Sequence, residues 1–387
     1  MNEYERTVDR LLRTGNGEGK PPSLETAQNL NSQLGNPSSA YACIHVAGSN
    51  GKGSVTTKIA KVLELCGYKV GLFTSPHLFS FRERIAINGA PISEEEVVHG
   101  MHRLFALIEK LALQPTFFEL TTFLALEYFC EKKVDVAVIE TGLGGKYDAT
   151  NVVQPVLSII TSISLEHTQL LGTTTQQIAA EKAGIIKEKV PVVLGPKAKC
   201  EAIYERVREL NSAVFISEKT GSLFDEENTA IAECALKQLS SQFNISLQAQ
   251  ELGLLVRPPC RFEQVGHCIF DVAHNPDAIS SLIHALNTSF PAGKFRFLVG
   301  FSKDKDYASC LRRITKVATH VHLVQAASSR AATPLELQAV LNHSSTCHSC
   351  IAEAATAASA EARAKEEMLV VCGSFYIMAE AKAILCQ

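Results

Sequence analysis

A glycine-rich segment from Val46 to Ser54 carries the residues best suited to chemistry in this sequence. Glycines let a backbone wrap an anion closely with its N–H groups turned inward, and a following helix N-terminus adds the positive end of a dipole. Lys52 could reach terminal phosphates, and the hydroxyl of Ser54 could ligate Mg²⁺. The residues expected to hold the phosphates are Gly48, Asn50, Gly51, Lys52, Gly53 and Ser54.

This loop departs from the strict phosphate-loop pattern G-x-x-x-x-G-K-[ST]. Val46 occupies the position of the first glycine, and Gly53 directly follows the lysine. An ordinary glycine-rich turn with no ligand is the alternative interpretation. We favour phosphate binding because the lysine and the serine fall where a phosphate and a metal ion need them.

Three other polar residues lie at the end of a predicted buried strand or in the loop after one. Glu140 ends an apolar run, and an acid at such a strand tip could ligate Mg²⁺ beside a phosphate loop, with a capping carboxylate as the alternative. His77 lies in the loop after another strand, where open α/β sheets bind ligands, although an ordinary connection gives the same pattern. His167 follows a third strand, and a histidine there is more often structural.

A parallel sheet would bring these residues together. Apolar runs alternate with helical patterns, which favours an α/β fold with helices on both faces of a parallel sheet. The predicted strands are 41–46, 69–74, 85–89, 134–140, 155–162 and 190–194. The predicted helices are 4–14, 24–34, 54–63, 94–113, 117–129, 178–185, 201–210 and 228–243, with a glycine- and proline-rich loop at 15–23.

A second alternating unit begins after Pro258 and Pro259, which prevent helix continuation and stiffen the connection. We therefore predict a P-loop ATP-binding domain over 1–257 and a smaller Rossmann-like α/β domain over 258–387. The smaller domain has no G-x-G-x-x-G. Its predicted strands are 268–271, 295–300, 320–324 and 368–372, and its predicted helices are 276–289, 304–317, 334–342, 351–367 and 377–385.

The composition excludes several classes of protein. A chain of 387 residues exceeds what one hydrophobic core usually supports, so two domains are expected. The net charge of −3 gives no bulk field that would favour nucleic acid or an anionic membrane. The polar N-terminus and the lack of a membrane-length apolar run predict a cytoplasmic protein.

The 12 cysteines show no disulfide-like rhythm, so we expect reduced thiols, many of them in the core. Cys347 and Cys350 form a C-x-x-C with His343 and His348 nearby. A metal or redox site there is the alternative, but a zinc site needs a second ligand pair and the sequence offers no obvious one.

Several motifs occur together in the order and spacing of one known family. The chain resembles the folylpolyglutamate synthase/dihydrofolate synthase family, within the Mur-ligase-like ATP-dependent amide ligases, except over about 196–255. The N-terminal matches are V-A-G-S-N-G-K-G-S at 46–54, T-S-P-H-L at 74–78, E-R-I-A-I-N-G at 83–89, F-F-E-L-T-T at 117–122, E-T-G-L-G-G-K-Y-D-A-T-N at 140–151, E-H at 166–167 and E-K-A-G-I-I-K at 181–187. The C-terminal matches are D-V-A-H-N-P at 271–276, G-F-S-K-D-K-D at 300–306 and G-S-F-Y at 373–376.

The resemblance implies a reaction in which ATP phosphorylates a pteroate or folate carboxylate and the amine of L-glutamate attacks the acyl phosphate. It also implies that Lys52 neutralises the β- and γ-phosphates, that Ser54 and Glu140 bind one Mg²⁺, and that His167 binds a second. Lys182, which the residues alone indicate as a surface helix lysine, matches a lysine that family members carbamylate. A carbamate is an anion and could bind metal.

The remaining roles also come from the resemblance. Asn228 matches an asparagine near the adenine, and Arg261 and Asp271 match a pair that contacts ATP. Both domains then contribute, so catalysis should require domain closure. The pteroate or folate and L-glutamate are expected near Ser75, Pro76, His77, Asp148, Ala149, His274 and Ser374. We expect no nucleic-acid or membrane partner, and a monomer.

The chain departs from the family pattern at several positions: Lys146 replaces the arginine of G-G-R, Cys260 the glycine of P-G-R, and Val272 the glycine of D-G-A-H-N-P. A Mur-type peptidoglycan precursor ligase and a non-catalytic nucleotide-binding regulator are the alternatives. T-S-P-H-L and D-A-T-N favour the folate branch, and the retained metal-binding residues argue against a regulator. The sequence leaves open whether the acceptor is dihydropteroate or tetrahydrofolate.

Overall fold

The computed structural model describes residues 1–15, 23–218 and 224–386. Most of the predicted loop at 15–23 lies outside these ranges. The chain divides into two compact units, one formed by Met1–Gly221 with Asp225–Arg257 and the other containing Pro258–Gln387. Within the described ranges, every helix is too short or too polar to cross a membrane.

The first unit contains an eight-stranded sheet. Its strands are β1 (Ala42–Ala47), β2 (Val70–Phe73), β3 (Ile85–Ile87), β4 (Ala90–Pro91), β5 (Val136–Glu140), β6 (Leu157–Ser162), β7 (Val192–Lys197) and β8 (Val214–Ile216). The order across the sheet is β4-β3-β2-β5-β1-β6-β7-β8. All pairs are parallel except β2 with β3 and β3 with β4. The predicted parallel sheet is confirmed, with an antiparallel edge.

Ten α-helices of the first unit are described. They are α1 (Glu3–Leu12), α2 (Glu25–Gln33), α3 (Lys52–Leu65), α4 (Glu94–Leu111), α5 (Phe117–Glu131), α6 (Thr168–Leu171), α7 (Thr175–Ala183), α8 (Glu201–Glu209), α9 (Phe224–Leu239) and α10 (Leu247–Gly253). Short 3₁₀ turns occur at Pro37–Ala40, Phe81–Arg84 and Ala149–Val152.

The central strand β1 is buried on both faces, which explains its continuous apolar run. Ile44 and Val46 pack with Val55 and Ile59 of α3 on one face. Cys43 belongs to a different cluster, built largely from α4 and α5. Helices therefore cover both faces of the sheet and hold the strand that precedes the glycine-rich loop.

The second unit is a smaller α/β sheet of the order β13-β12-β11-β14-β10-β9. Its strands are β9 (Glu263–Val265), β10 (Cys268–Phe270), β11 (Phe295–Val299), β12 (Ala318–Leu323), β13 (Ser345–Cys347) and β14 (Met368–Cys372). Its helices are α11 (Pro276–Ser289), α12 (Tyr307–Ile314), α13 (Pro334–Ala339), α14 (Ile351–Ala364) and α15 (Met378–Leu385). Among the described strands of this unit, only β9 is antiparallel to its neighbour.

Several predicted boundaries were wrong. Helix α7 begins at Thr175 rather than 178, because the Thr174 side chain accepts from the Gln177 N–H in a capping box. Helix α12 begins at Tyr307 rather than 304, because Asp306 caps it. The strands β4, β8, β9 and β13 and helix α10 were not predicted, because segments of two to seven residues give little periodicity.

Candidate active site

The loops that follow four neighbouring strands meet at one edge of the large sheet. Strands β2, β5, β1 and β6 are adjacent and parallel, so their carboxyl ends lie on the same side. Glu140 at the end of β5 is in register with Val46 of β1, two residues before Gly48. The predicted phosphate loop, Glu140 and the loops with His77 and His167 thus share one edge, where open α/β sheets bind ligands.

The end of β6 fixes the glycine-rich loop. Thr161 and Ser162 donate their hydroxyls to the Asn50 carbonyl at 2.6 and 3.0 Å, and the Asn50 N–H donates to Ser162 Oγ at 2.9 Å. Ser49 Oγ donates to the Ser164 carbonyl and accepts from its N–H. These hydrogen bonds to residues 161–164 fix the conformation of the glycine-rich loop.

Two positions in the loop need glycine. A Cβ on Gly48 would lie 1.9 Å from Thr161 Oγ1, so no side chain fits there. Gly51 has φ +88°, and a Cβ on it would lie 2.3 Å from Asn228 Oδ1. Asn228, predicted to lie near the adenine, therefore contacts the glycine-rich loop from α9. Helix α3 begins directly after Gly51, so its free N–H groups face the loop.

Two lysines contact the same carbonyl at the base of the loop. Lys52 Nζ and Lys182 Nζ each donate to Gly48 O at 2.9 Å. Lys182 also donates to Glu166 Oε1 at 2.7 Å, and both partners are buried. The interpretation of Lys182 as a surface lysine was wrong, because α7 packs its last turn beneath the loop. The helical pattern alone could not place that residue on the buried face.

The electrostatics of this pair follow from burial and from neighbouring cations. Burial by itself raises the pKa of the Glu166 carboxyl, but Lys182 and Lys52 outweigh it and bring that pKa to about 2. Burial lowers the pKa of the Lys182 ammonium, Glu166 counteracts this, and Lys52 lowers it further. The pair therefore consists of a firmly ionised carboxylate and a lysine that is easier to deprotonate than usual.

Two of the predicted metal ligands, Ser54 and Glu140, offer the oxygen atoms that Mg²⁺ prefers. Ser54 and Glu140 are buried, and Glu140 Oε2 accepts from the Ser75 N–H at 3.3 Å. His167 is half-buried, has a left-handed backbone with φ +45°, and precedes α6. Among the described residues, no three histidine, cysteine or acidic side chains converge to hold a metal by themselves. A metal at this edge would therefore complete its coordination with phosphate oxygens and water, as Mg²⁺ commonly does.

The loop that contains Ser75, Pro76 and His77 is held in place by a residue of the 3₁₀ turn that follows it, Phe81–Arg84. Arg84 Nε donates to His77 Nδ1 at 2.8 Å, so that nitrogen carries no proton. Burial and the Arg84 charge lower the pKa of His77 to about 4. His77 is therefore a neutral imidazole whose Nε2 carries the proton at neutral pH.

Asp148 lies inside its own loop. Its carboxylate accepts from the N–H groups of Gly142 and Leu143 at 2.8 Å and from the N–H and hydroxyl of Thr150. Burial raises its pKa, opposed by these hydrogen bonds. Asp148 and the buried Ala149 were predicted to contact the substrate, and in the structure Asp148 shapes the Gly142–Leu143 backbone.

Two of the predicted residues of the second unit, Arg261 and His274, lie beside the ring of Phe375. The Arg261 guanidinium stands 5.2 Å from the centre of Phe375, and the His274 ring centre stands 5.7 Å from it. Asp271 accepts from the Phe262 and Ala273 N–H groups at 2.8 Å, and burial raises its pKa while Arg261 lowers it. Ser374 caps the 3₁₀ turn Phe375–Ile377.

The residues present fit a nucleotide and a divalent cation. The loop has glycines where a Cβ would clash, a helix N-terminus, a lysine and a buried serine hydroxyl. Phosphate oxygens bind to backbone N–H groups of a glycine-rich loop and helix N-terminus together with one cationic side chain. Glu140 adds the carboxylate that a phosphate-bound cation needs.

Known proteins share this architecture. A model of the Mur ligase middle domain matches residues 46–249, and a model of the Mur ligase glutamate ligase domain matches 260–375. The dihydrofolate synthase/folylpolyglutamate synthase of Bacillus subtilis is 34% identical over 363 residues, covering 82% of this chain and 84% of that protein. The chain belongs to the dihydrofolate synthase/folylpolyglutamate synthase family. The family predicted from the motifs, and with it an ATP-dependent ligase, is confirmed.

Solved structures of the family agree with this fold. Escherichia coli FolC in complex with DHPP and ADP has a TM-score of 0.89 and 29% identity, covering 98% of this chain and 97% of that one. The bifunctional enzyme of Yersinia pestis complexed with AMPPNP and Mn has a TM-score of 0.88 and 28% identity, covering 100% and 99%.

Two departures from the family pattern have different structural consequences. Cys260, at the glycine of P-G-R, has φ +55°, the left-handed region that glycine occupies without strain. Val272, at the glycine of D-G-A-H-N-P, is fully buried and has no positive φ. The loss of glycine therefore strains the backbone at Cys260 and leaves it unstrained at Val272.

Several residues around the glycine-rich loop were not predicted individually. Glu166 stood in the E-H motif, but its ion pair with Lys182 depends on the packing of α7. Thr161 and Ser162 are polar residues at the end of a largely apolar strand. This change from apolar to polar residues was the feature of the sequence that could have identified them. All twelve cysteines lie in the described ranges and none forms a disulfide, including Cys347 and Cys350.

Proposed function

We propose that this chain adds L-glutamate to dihydropteroate or to reduced folates, or to both, at the expense of ATP. The observation that supports this most is the juxtaposition of Lys52, Lys182 and Glu166 at the base of the phosphate loop, in a member of this ligase family. A plain nucleotide-binding regulator would not need a second buried lysine with its own carboxylate there.

In the proposed reaction, the acceptor carboxylate attacks the γ-phosphorus of ATP and ADP leaves, which gives an acyl phosphate. The amine of L-glutamate then attacks the acyl carbon, phosphate leaves, and an amide forms. Such phosphoryl transfer depends on positioning and on neutralising charge. Lys52 and the N-terminus of α3 would hold the phosphates, and Asn228, Arg261 and Asp271 would bind the remainder of the nucleotide.

Two Mg²⁺ ions are part of the proposal. Ser54 and Glu140 would bind one ion and His167 a second, with Lys182 contributing as a carbamate. Bound ions would neutralise phosphate charge. The lowered pKa of Lys182 favours carbamylation, since the neutral amine is the form that reacts with carbon dioxide.

The acceptor would occupy the loops at the same edge of the large sheet, and L-glutamate would bind residues of the second unit. We assign the acceptor to Ser75, Pro76, His77, Asp148 and Ala149, and L-glutamate to the neighbourhood of His274 and Ser374. Residues 1–257 would form the ATP-binding domain and 258–387 the glutamate-ligase domain. We further propose a cytoplasmic monomer without nucleic-acid or membrane partners.

The test is glutamate-dependent ADP release with Mg²⁺-ATP, run in parallel with dihydropteroate, tetrahydrofolate and a UDP-muramoyl acceptor. Turnover on dihydropteroate alone means a dihydrofolate synthase, and turnover on both pterins means a bifunctional enzyme. Lys52→Ala should abolish either activity. Turnover only on the UDP-muramoyl acceptor, or nucleotide binding without turnover, contradicts the proposal in favour of the Mur-type or regulatory alternative.

A further inference from the structure

A buried histidine of the central strand takes no part in the proposed chemistry. His45 lies on β1, is 0% exposed, and pairs in the sheet with Ile139, the residue before Glu140. Its Nε2 lies 2.8 Å from Thr150 Oγ1, and its Nδ1 is buried without a hydrogen-bond partner among the described residues. A polar ring in the core costs stability unless its hydrogen bonds compensate. The contact with Thr150 is the polar interaction that the structure describes for this ring.

Thr150 connects His45 to the carboxylate of Asp148. The Thr150 hydroxyl donates to Asp148 Oδ1, and the Thr150 N–H donates to the same oxygen at 3.0 Å. The other oxygen, Oδ2, accepts from the N–H groups of Gly142 and Leu143 at 2.8 Å. Three backbone N–H donors favour the ionised carboxylate, which can only accept hydrogen bonds. The Thr150 hydroxyl therefore gives its one proton to Asp148.

This direction fixes the protonation of His45. Because the Thr150 hydroxyl has no second proton, its oxygen must accept a hydrogen bond from His45 Nε2. The proton of the ring therefore lies on Nε2, and the unpartnered Nδ1 carries none. Burial, to which the charge of Lys187 adds, lowers the pKa of His45 to about 3, so the ring is neutral at physiological pH. His45 is thus a constant hydrogen-bond donor to Thr150.

The 3₁₀ turn that carries Thr150 is also held from a second side. Lys187 Nζ donates to the Asn151 carbonyl at 2.9 Å. The Asn151 side chain donates to two backbone carbonyls at 3.0 and 3.1 Å. None of these contacts involves His45. Loss of the histidine contact should therefore leave the turn in place and release the carboxylate that Thr150 orients.

We propose that His45 is a positioning residue of the acceptor site. Through Thr150 it orients the Asp148 carboxylate, which in turn holds the backbone of 142–143 in the loop after β5. The inference rests on the proposed function in that Asp148 and this loop contact the acceptor. Without the donor, the carboxylate keeps its charge but loses its fixed orientation, so the acceptor should bind less tightly while the nucleotide binds as before.

The experiment uses the full chain with two pairs of variants. His45→Leu removes the donor, whereas His45→Gln places an amide N–H close to the position of the imidazole Nε2. Thr150→Val removes the hydroxyl and keeps the branched shape, whereas Thr150→Ser keeps the hydroxyl. Tyr41→Phe is the matched control. It removes another buried hydrogen bond, the one of 3.1 Å from the Tyr41 hydroxyl to the Leu126 carbonyl, just before the same strand.

Two readouts separate the position of the loop from its function. Hydrogen–deuterium exchange of the segment 141–149, followed by mass spectrometry, measures how firmly the loop is held and depends on no activity. Titrations with dihydropteroate, tetrahydrofolate and Mg²⁺-AMPPNP measure the affinity for acceptor and for nucleotide separately. A residue that only stabilises the fold would not weaken acceptor binding selectively.

We expect His45→Leu and Thr150→Val to speed exchange of the segment 141–149 about tenfold and to weaken pterin binding about tenfold. Affinity for AMPPNP should stay within about threefold of the wild type. His45→Gln and Thr150→Ser should restore most of the protection and of the pterin affinity. Tyr41→Phe should leave both as they are in the wild type.

Unchanged exchange and unchanged pterin affinity in His45→Leu and Thr150→Val would overturn the inference, and so would equal losses in Tyr41→Phe. If His45→Leu does not fold, the comparison of Thr150→Val with Thr150→Ser decides. A wild type that binds neither pterin contradicts the proposed function instead. The exchange rates then still show whether His45 and Thr150 hold the loop.

Discussion

The carboxylate of Glu166 lies 2.7 Å from the ammonium of Lys182, and that ammonium also donates to the carbonyl of Gly48. The ion pair therefore links α7 to the phosphate loop at its first glycine. Because both partners are buried, removing the Glu166 charge would leave the Lys182 ammonium without its paired carboxylate. This relationship makes the pair a structural support of the site as well as part of its charge balance.

Replacing Glu166 by glutamine should destabilise the protein. In buffer freed of carbon dioxide, where Lys182 is an unmodified ammonium, Glu166→Gln leaves that ammonium buried without its paired carboxylate, which we expect to cost about 3 kcal/mol in the free energy of unfolding. Urea denaturation monitored by circular dichroism measures this. Glu201→Gln is the control, because the Glu201–Arg208 pair is exposed and its loss should cost less than about 1 kcal/mol. Equal costs for the two variants would contradict a buried, uncompensated charge.

The contribution of Glu166 to stability should depend on pH in the acid range. Its folded pKa of about 2 lies below the ordinary value of 4.5, so the folded state favours the ionised form. The stabilisation is fully present above the unfolded pKa, on the order of 3 kcal/mol, and is lost as pH falls through the folded pKa. Denaturation of wild type and Glu166→Gln at several acidic pH values should show their difference shrinking below about pH 4. A constant difference would contradict this.

Substitutions at Cys260 should show how much stability is lost because this position is not glycine. Its φ of +55° is strained for cysteine and free for glycine. Cys260→Gly removes the thiol and the strain, whereas Cys260→Ala removes only the thiol. We expect the glycine variant to be more stable than the alanine variant by about 1 kcal/mol in thermal or urea unfolding. The reverse order would show that Cys260 is unstrained in solution.

A side chain at Gly48 should disrupt the phosphate loop. Gly48→Ala would place a methyl group 1.9 Å from Thr161 Oγ1, so the loop must shift away from β6. We expect at least about a tenfold loss of ATP affinity, measured by calorimetry. The control is Gly67→Ala, since Gly67 also has a positive φ but open space around it. That variant should lose about 1 kcal/mol of stability and no ATP affinity.

Carbamylation of Lys182 is testable by spectroscopy. Protein equilibrated with ¹³C-bicarbonate should show a carbamate carbon signal that is absent in Lys182→Ala. Turnover should fall in buffer freed of carbon dioxide and return with bicarbonate. The lowered pKa of the Lys182 ammonium supports the modification, because it increases the fraction of neutral amine. A signal that persists in Lys182→Ala would assign the carbamate to a different amine.

Much of the fold was predictable because the pattern along the chain reflects burial. The six predicted strands of the first unit and the four of the second all exist, because buried parallel strands require apolar runs. The short edge strands β8, β9 and β13 escaped prediction, since a few half-buried residues carry almost no periodic signal. The start of α7 was misplaced because the cap at Thr174 was overlooked.

The sequence by itself determined the local chemistry: a glycine-rich loop with Lys52 and Ser54, an acid at a strand tip, and a set of family motifs. Those features depend on residues close together in the chain. Only the tertiary structure placed Lys182 beneath Gly48, paired it with Glu166 and set Asn228 against Gly51. These contacts join segments that are distant in the chain, so they depend on how helices pack on the sheet, which local pattern does not encode.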